Sequence, residues 1–396
     1  MMKFLFLTDE YYPNFGANSL IVRTLSKELV NRGHKVYVMP ASYDKSLPKN
    51  EEFEGSTVLR TLPFDGKETL LSSIKQFRWI EAMQIFTMCL GAKLLRSHRL
   101  WPKQKIAARQ FLKRFIDEQK IDVAISINCS VELSFPLLYL RKRHKLKCKW
   151  IWYMLDPFES HEYYRAHTSE RKLKRLQHSI MQNCDRIIAT DLIYDETSQW
   201  EQAQILNKIT VAGFPKIEKP QYVPVADDII LPHGKINVVC TGSKNETVRN
   251  SAYTLSLCKQ IPSVAFHFVG NGWANETKEE DNLYFYPPHS YQSIRNLQQN
   301  ADFLLNIGNA VDNQLPSKVL EYISTGKPII NIYKTERCPA KALLDRWDAL
   351  NIAENEDAVE KLYAFVNSNR AKVSFEILEK IFEEFTPACV ADIFIK

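Results

Sequence analysis

The sequence predicts an α/β protein of two doubly wound domains. Short apolar runs alternate with helical repeats twice along the chain, and the alternation lapses once between them in a proline-rich stretch. At 396 residues the chain also exceeds the size at which a single hydrophobic core keeps growing. Its 45% hydrophobic and 25% charged residues leave no tract that composition would call disordered. No run approaches the roughly 18 uninterrupted apolar residues of a membrane helix, and Met1 to Leu7 leads directly into strand-like sequence, so a cytoplasmic protein is expected.

In the first half, Lys3 to Leu7 reads as a strand, followed by the turn Pro13-Asn14-Phe15-Gly16. A helical repeat of Ile21, Leu25 and Leu29 then stops at Gly33 before a second strand, Lys35 to Met39. Further strands are expected at Val58 to Leu62, Val123 to Ile127, Trp150 to Met154, Arg186 to Ala189 and Ile209 to Ala212. Between Pro215 and Pro232 four prolines (Pro215, Pro220, Pro224, Pro232) interrupt both periods. After them come strands at Ile236 to Cys240, Val264 to Val269, Leu283 to Tyr286, Phe303 to Ile307 and Pro328 to Ile332. The intervening helices are Ser251 to Lys259, Tyr291 to Asn300 and Ser317 to Thr325. The expected organisation is an N-terminal domain at 1–214, a linker at 215–235 and a C-terminal domain at 236–385. A final helix at 386–396, capped by Thr386 with Pro387 in its first turn, packs back toward the first domain.

Eight cysteines (Cys89, Cys129, Cys148, Cys184, Cys240, Cys258, Cys338, Cys389) contain no C-x-x-C pair, which argues against a structural zinc or a disulfide framework. The net charge of +6 is unevenly placed: Lys67 to Phe115 holds eleven Lys/Arg against only Glu68 and Glu81. Trp79, Met83, Phe86 and Leu90 interleave with those cations. That pattern fits either an amphipathic segment on an anionic membrane surface or a core-facing helix with a solvated basic face. No nucleic-acid-binding motif accompanies the charge, so a nucleic acid partner is not expected.

The most informative stretch runs from Leu315 through Pro316, Ser317, Lys318, Glu321 and Tyr322 to Gly326-Lys327-Pro328-Ile329-Ile330. A loop after a strand opens there into a helix whose first amides belong to Ser317 and Lys318, an arrangement that suits a diphosphate without a metal. Glu321, one turn on, either accepts hydrogen bonds from both hydroxyls of an attached ribose or pairs with Lys318 at i, i+3 on a solvated helix. The sequence contains no D-x-D triplet, no G-x-x-x-x-G-K-[ST] and no G-x-G-x-x-G after the first strand. These absences disfavour a divalent metal site, an NTPase and an NAD dehydrogenase.

This stretch resembles the nucleotide-sugar site of family 4 glycosyltransferases, in the subgroup reading P-S-K-x-x-E-Y followed by G-K-P-I-I. The resemblance implies the GT-B fold, in which two Rossmann-like domains face across a cleft. It implies that Glu321 binds the donor ribose and that Pro316, Ser317 and Lys318 meet the diphosphate. Many members carry a glutamate contacting the transferred sugar where this chain has Asn313. The opening Phe4 to Pro13 and Gly16 is similar to the family's N-terminal phosphate approach, with Gly16-Ala17 in place of two glycines; Gly16 alone would be a plain turn residue. Trp150 to Phe158 resembles a strand ending in D-P-F, which puts Asp156 near the acceptor hydroxyl, or as the cap of a helix that carries His161 and Glu162 toward it. Thr241-Gly242-Ser243-Lys244 resembles the donor loop, with Lys244 and Arg249 either neutralising the diphosphate or simply solvated; Gly270-Asn271-Gly272 matches a neighbouring turn.

The expected activity is therefore retaining transfer of a sugar from a nucleotide diphosphate-sugar co-substrate, with no other cofactor, to a glycan or lipid-linked acceptor in surface polysaccharide synthesis. Arg249, Lys318 and Asp156 are the expected catalytic groups, acting mostly electrostatically. A nucleotide-sugar 2-epimerase and a non-catalytic nucleotide-sugar binder remain as alternative classes.

Overall fold

The computed structural model describes residues 1–13, 15–41, 44, 46–60, 102–127, 131–155, 169–193, 203–244, 249, 251–276, 281–309, 312 and 315–396. Asn313, Asp156, His161, Glu162 and most of the basic segment lie outside the described residues. The chain divides into two compact units, Met1–Phe214 with Val390–Lys396, and Pro215–Cys389.

The first unit is built on an eight-stranded sheet. Its strands are β1 (Lys3–Thr8), β2 (Lys35–Pro40), β3 (Asn50–Phe53), β4 (Ser56–Leu59), β5 (Val123–Ile127), β6 (Lys149–Met154), β7 (Arg186–Ala189) and β8 (Ile209–Val211), in the order β3-β4-β2-β1-β5-β6-β7-β8. The helices are α1 (Ala17–Asn31), α2 (Pro102–Gln119), α3 (Val131–Lys142), α4 (Glu170–Asn183) and the short α5 (Ala203–Leu206). Leu5, Leu7, Trp150 and Trp152 pack with Leu112 and Ile116 of α2, Leu137 of α3 and Leu173 and Ile180 of α4. Phe4 and Phe6, which point to the opposite face, are also fully buried, as parallel strands covered on both sides require.

One pairing departs from the expected parallel pattern: β3 runs antiparallel to β4. The two are joined by Glu54 (φ 47°) and Gly55 (φ 77°), the backbone signature of a two-residue type I′ hairpin. The strand expected at Val58 to Leu62 begins earlier, at Ser56, and is described as far as Leu59.

The second unit has a wholly parallel six-stranded sheet. Its strands are β9 (Ile236–Thr241), β10 (Val264–Val269), β11 (Leu283–Tyr286), β12 (Phe303–Ile307), β13 (Ile329–Tyr333) and β14 (Ala349–Ala353), in the order β11-β10-β9-β12-β13-β14. Its helices include α6 (Ser251–Lys259), α7 (Tyr291–Asn300), α8 (Lys318–Ser324), α9 (Pro339–Leu344), α10 (Val359–Asn367) and α11 (Phe375–Ile381). Relative to chain order the strands run 3-2-1-4-5-6, so the winding reverses between β9 and β12 and leaves a crevice beyond their carboxyl ends. The proline-rich stretch belongs to this unit: the Ile217 amide donates to Phe385 O (3.0 Å), and the Asn296 side chain bonds both backbone groups of Val223.

The terminal helix α12 (Pro387–Ile395) starts where Thr386 Oγ1 accepts the Cys389 amide (3.2 Å). In the first unit its end is held by Phe394, set edge-on to Tyr153 at 5.1 Å, and by an Asp392–Arg32 ion pair. No helix among the described residues is long and apolar enough to cross a membrane.

A buried histidine gives the second unit a pH dependence. His267 of β10 is fully buried, and burial lowers its pKa to about 4. The Asn237 amide nitrogen donates to Pro232 O and Lys235 O, so Asn237 Oδ1 must accept from His267 Nε2 (3.0 Å) while Nδ1 faces the Tyr286 hydroxyl (3.3 Å). That network holds the neutral Nε2–H tautomer. Because the folded pKa lies below the unfolded value near 6.5, the contribution is fully present above pH 6.5 and is lost as pH falls to about 4. The expected loss is on the order of 3 kcal/mol. Denaturant titrations between pH 7 and 4 should show that slope in the wild type and a shallower one in His267→Gln.

Candidate functional site: a cation-lined pocket at the switch point of the second sheet

At the end of β9, Thr241 is fastened from beneath. Its amide donates to Tyr322 Oη (2.7 Å), and its hydroxyl lies 3.1 Å from the same oxygen and accepts from Gln298 Nε2 (3.0 Å). Burial pushes the Tyr322 phenol well above its ordinary range, so it stays protonated and locks α8 to β9. The chain then turns at Gly242, whose φ of +133° is tolerated essentially only by glycine. The Gly242 amide donates to Val269 O (2.9 Å), and its carbonyl accepts from Trp273 Nε1 (2.8 Å). Gly270 makes that approach possible, since a Cβ there would lie 2.3 Å from the Gly242 oxygen. The Gly270-Asn271-Gly272 turn thus buttresses the Gly242 loop, and Asn271 O accepts the Lys244 amide (2.8 Å).

Three cations gather around this loop. Arg249 lies over the open face of Gly242, where a Cβ would sit 3.4 Å from Nη1, and its Nε donates to Oδ1 of buried Asn309 (3.1 Å). Lys318, the first residue of α8, lines the same pocket together with Thr241, Gly242, Lys244, Asn306 and Tyr322. Lys244 also lines it, with its amine paired to Glu276. Pro316 is buried, its carbonyl accepts the Val319 amide (3.0 Å), and Ser317 already has helical backbone angles.

Glu321 lies one turn into α8 and is 2% exposed. The expected pair with Lys318 is present, Nζ to Oε2 at 2.8 Å, but the helix face is enclosed rather than solvated. A second lysine completes the cluster: Lys216, 3% exposed, reaches Oε1 at 3.2 Å. Arg295 Nη1 donates to the Glu321 backbone carbonyl (3.1 Å). Burial alone would raise the Glu321 pKa, but Lys318, Lys216 and Arg295 overcome it and hold the carboxyl far below the usual range. Burial, opposed by Glu321, lowers the Lys216 pKa.

The structure therefore brings Gly242, Lys244, Arg249 and Lys318 around one pocket, with Glu321 directly behind Lys318. Lys216, Arg295 and Asn309 were not singled out from sequence, and Tyr322 was visible only as a member of the motif. Buried Lys and Arg are rare enough that nothing in a single sequence distinguishes Lys216 from a solvated lysine beside a proline. Gly16, in the first unit, caps α1 through reciprocal bonds with Ser19, and a Cβ there would lie 2.0 Å from Glu10 Oε1. A side chain there would only have to turn the Glu10 carboxylate aside.

No protein-family model matches the sequence, and no curated protein does either. Solved structures match along nearly the whole chain. A sucrose-phosphate synthase from Thermosynechococcus elongatus has a TM-score of 0.64 at 14% identity, covering 100% of this chain and 97% of its own. Anabaena Alr3699/HepE, determined in complex with UDP and glucose, has a TM-score of 0.64 at 13% identity, covering 100% and 98%. A UDP-N-acetylglucosamine 2-epimerase-like protein from Listeria monocytogenes follows at 0.58 and 10%, covering 100% and 95%. At such identities the likeness is one of fold, and the chain has the α/β fold of the GT-B glycosyltransferases, with two sheets that are parallel apart from the β3–β4 pair.

Proposed function

We propose that this chain is a metal-independent, retaining glycosyltransferase that moves a sugar from a nucleoside diphosphate-sugar to a glycan or lipid-linked acceptor in surface polysaccharide synthesis. The observation that carries this reading is the convergence of Lys318, Arg249 and the Gly242 loop on one pocket at the β9–β12 switch point, with a buried carboxylate behind it. Charge develops on the diphosphate as the glycosidic bond breaks, and cations already in place once the diphosphate is bound stabilise it in a partly enclosed pocket. Lys318 and Arg249 meet the phosphates, and Glu321 takes the ribose hydroxyls. The cations come from side chains because the sequence lacks a D-x-D metal triplet. The solved GT-B structure holding UDP and glucose supports this assignment of ligand class.

A thermal-shift screen of UDP-, GDP- and dTDP-sugars tests the reading. One class should raise the melting temperature, reflecting about 2.7 kcal/mol at a hundredfold excess over Kd. Transfer should then appear only when a glycan or lipid-linked acceptor is added. The epimerase-like fold neighbour favours one alternative, and UDP-N-acetylglucosamine incubated with enzyme alone separates the two. Epimerised product without acceptor would replace the transferase reading, and no shift with any nucleotide sugar would remove both.

A further inference from the structure

Resting on the nucleoside diphosphate reading, we infer that Lys318 is a two-position lysine, and that Lys216 is the positioning residue that lets it move. In the structure Lys318 neutralises Glu321 Oε2; on binding it swings to the diphosphate, and the vacated Oε2 accepts the ribose hydroxyls.

The two lysines differ in their freedom. Lys318 is a quarter exposed and lines the pocket. Lys216 is enclosed, follows the rigid Pro215, and precedes Ile217, whose amide is fastened to Phe385 O at 3.0 Å. A carboxylate buried to 2% exposure cannot lose its only counter-charge without a large desolvation penalty. With Lys318 alone, the carboxylate would hold the amine against any phosphate. With Lys216 fixed 3.2 Å from Oε1, the charge stays compensated when Lys318 leaves. Arg295 adds a third positive charge at the Glu321 carbonyl and is itself anchored to Gln298 and Ser324, so it too stays in place. The lysine–glutamate pair that occupies both ligand contacts is thus their resting state. One movement opens both.

Calorimetric titration with inorganic pyrophosphate, which reads the cation contact without the nucleoside, tests this. Lys216→Met should weaken pyrophosphate about tenfold or more, because Glu321 then retains Lys318. Lys216→Met/Glu321→Gln removes both buried charges, keeps the site foldable if the single variant is not, and should restore pyrophosphate affinity to within about threefold of wild type. The same double variant should remain weak for the nucleoside diphosphate. A merely structural Lys216 would cost Lys216→Met stability in denaturant unfolding while the protein that folds binds pyrophosphate like wild type. If Lys216→Met binds pyrophosphate like wild type, or the double variant stays as weak as the single, the inference is overturned while the diphosphate reading stands. If wild-type protein binds neither pyrophosphate nor any nucleoside diphosphate, both fall.

Discussion

Glu321→Ala should weaken nucleoside diphosphate binding about a hundredfold or more, since each hydrogen bond to a charged group contributes about 1.5–3 kcal/mol and a ribose diol makes two. The same substitution should lower the stability of the second unit by about 3–5 kcal/mol, because it strands Lys216 in the interior without its ion-pair partner. Glu321→Gln keeps the volume and a hydrogen-bonding group, so more of the stability should survive while nucleoside recognition is still lost. Denaturant unfolding and calorimetry read the two effects separately. An alanine variant with wild-type stability and wild-type affinity would remove Glu321 from both roles.

Arg249→Ala should act in the opposite proportion. The guanidinium lies over Gly242 and is held by Asn309, while the loop itself is fixed by Val269, Trp273 and the Gly270 turn. Removing the side chain therefore spares the fold and takes away the donor proposed to meet the leaving diphosphate. A loss of about two to three orders of magnitude in kcat is expected, the scale of deleting one preorganised donor to developing charge. The melting temperature should move little. Steady-state rates against donor concentration check this: a change in KM alone would make Arg249 a binding group without a part in the chemistry.

Much of this architecture was legible because parallel strands covered on both faces read as continuous apolar runs. Val123–Ile127, Val264–Val269 and Phe303–Ile307 fall where the sequence placed them. β3 was not legible, for a physical reason: Asn50-Glu51-Glu52-Phe53 is an edge strand whose charged residues are the kind that protect an edge and look like loop. β14 escaped as well, being an edge strand only partly buried along Ala349–Ala353. Local signals fared well at chain ends and turns, as with the Thr386 cap and Gly33 at φ 81°.

In the site, the residues that share a motif were readable and the residues that support them were not. Glu321 and Lys318 sit one helical turn apart, so their proximity follows from helix geometry. Lys216 meets Glu321 from 105 positions away, and Asn309 meets Arg249 from 60 away. Such pairings are set by the order of strands in the sheet, which no local period encodes. Tyr322 is intermediate: its place in the motif was visible, but its service as the tie between α8 and the end of β9 needed the fold.

The most direct measurement is a crystal structure with the nucleoside diphosphate that most raises the melting temperature. The pyrophosphate should lie within about 3 Å of Lys318 Nζ and the Arg249 guanidinium. The ribose hydroxyls should sit on Glu321, with the Lys318–Glu321 contact broken. A nucleotide bound elsewhere on the chain, with Lys318 still seated on Glu321, would contradict this arrangement.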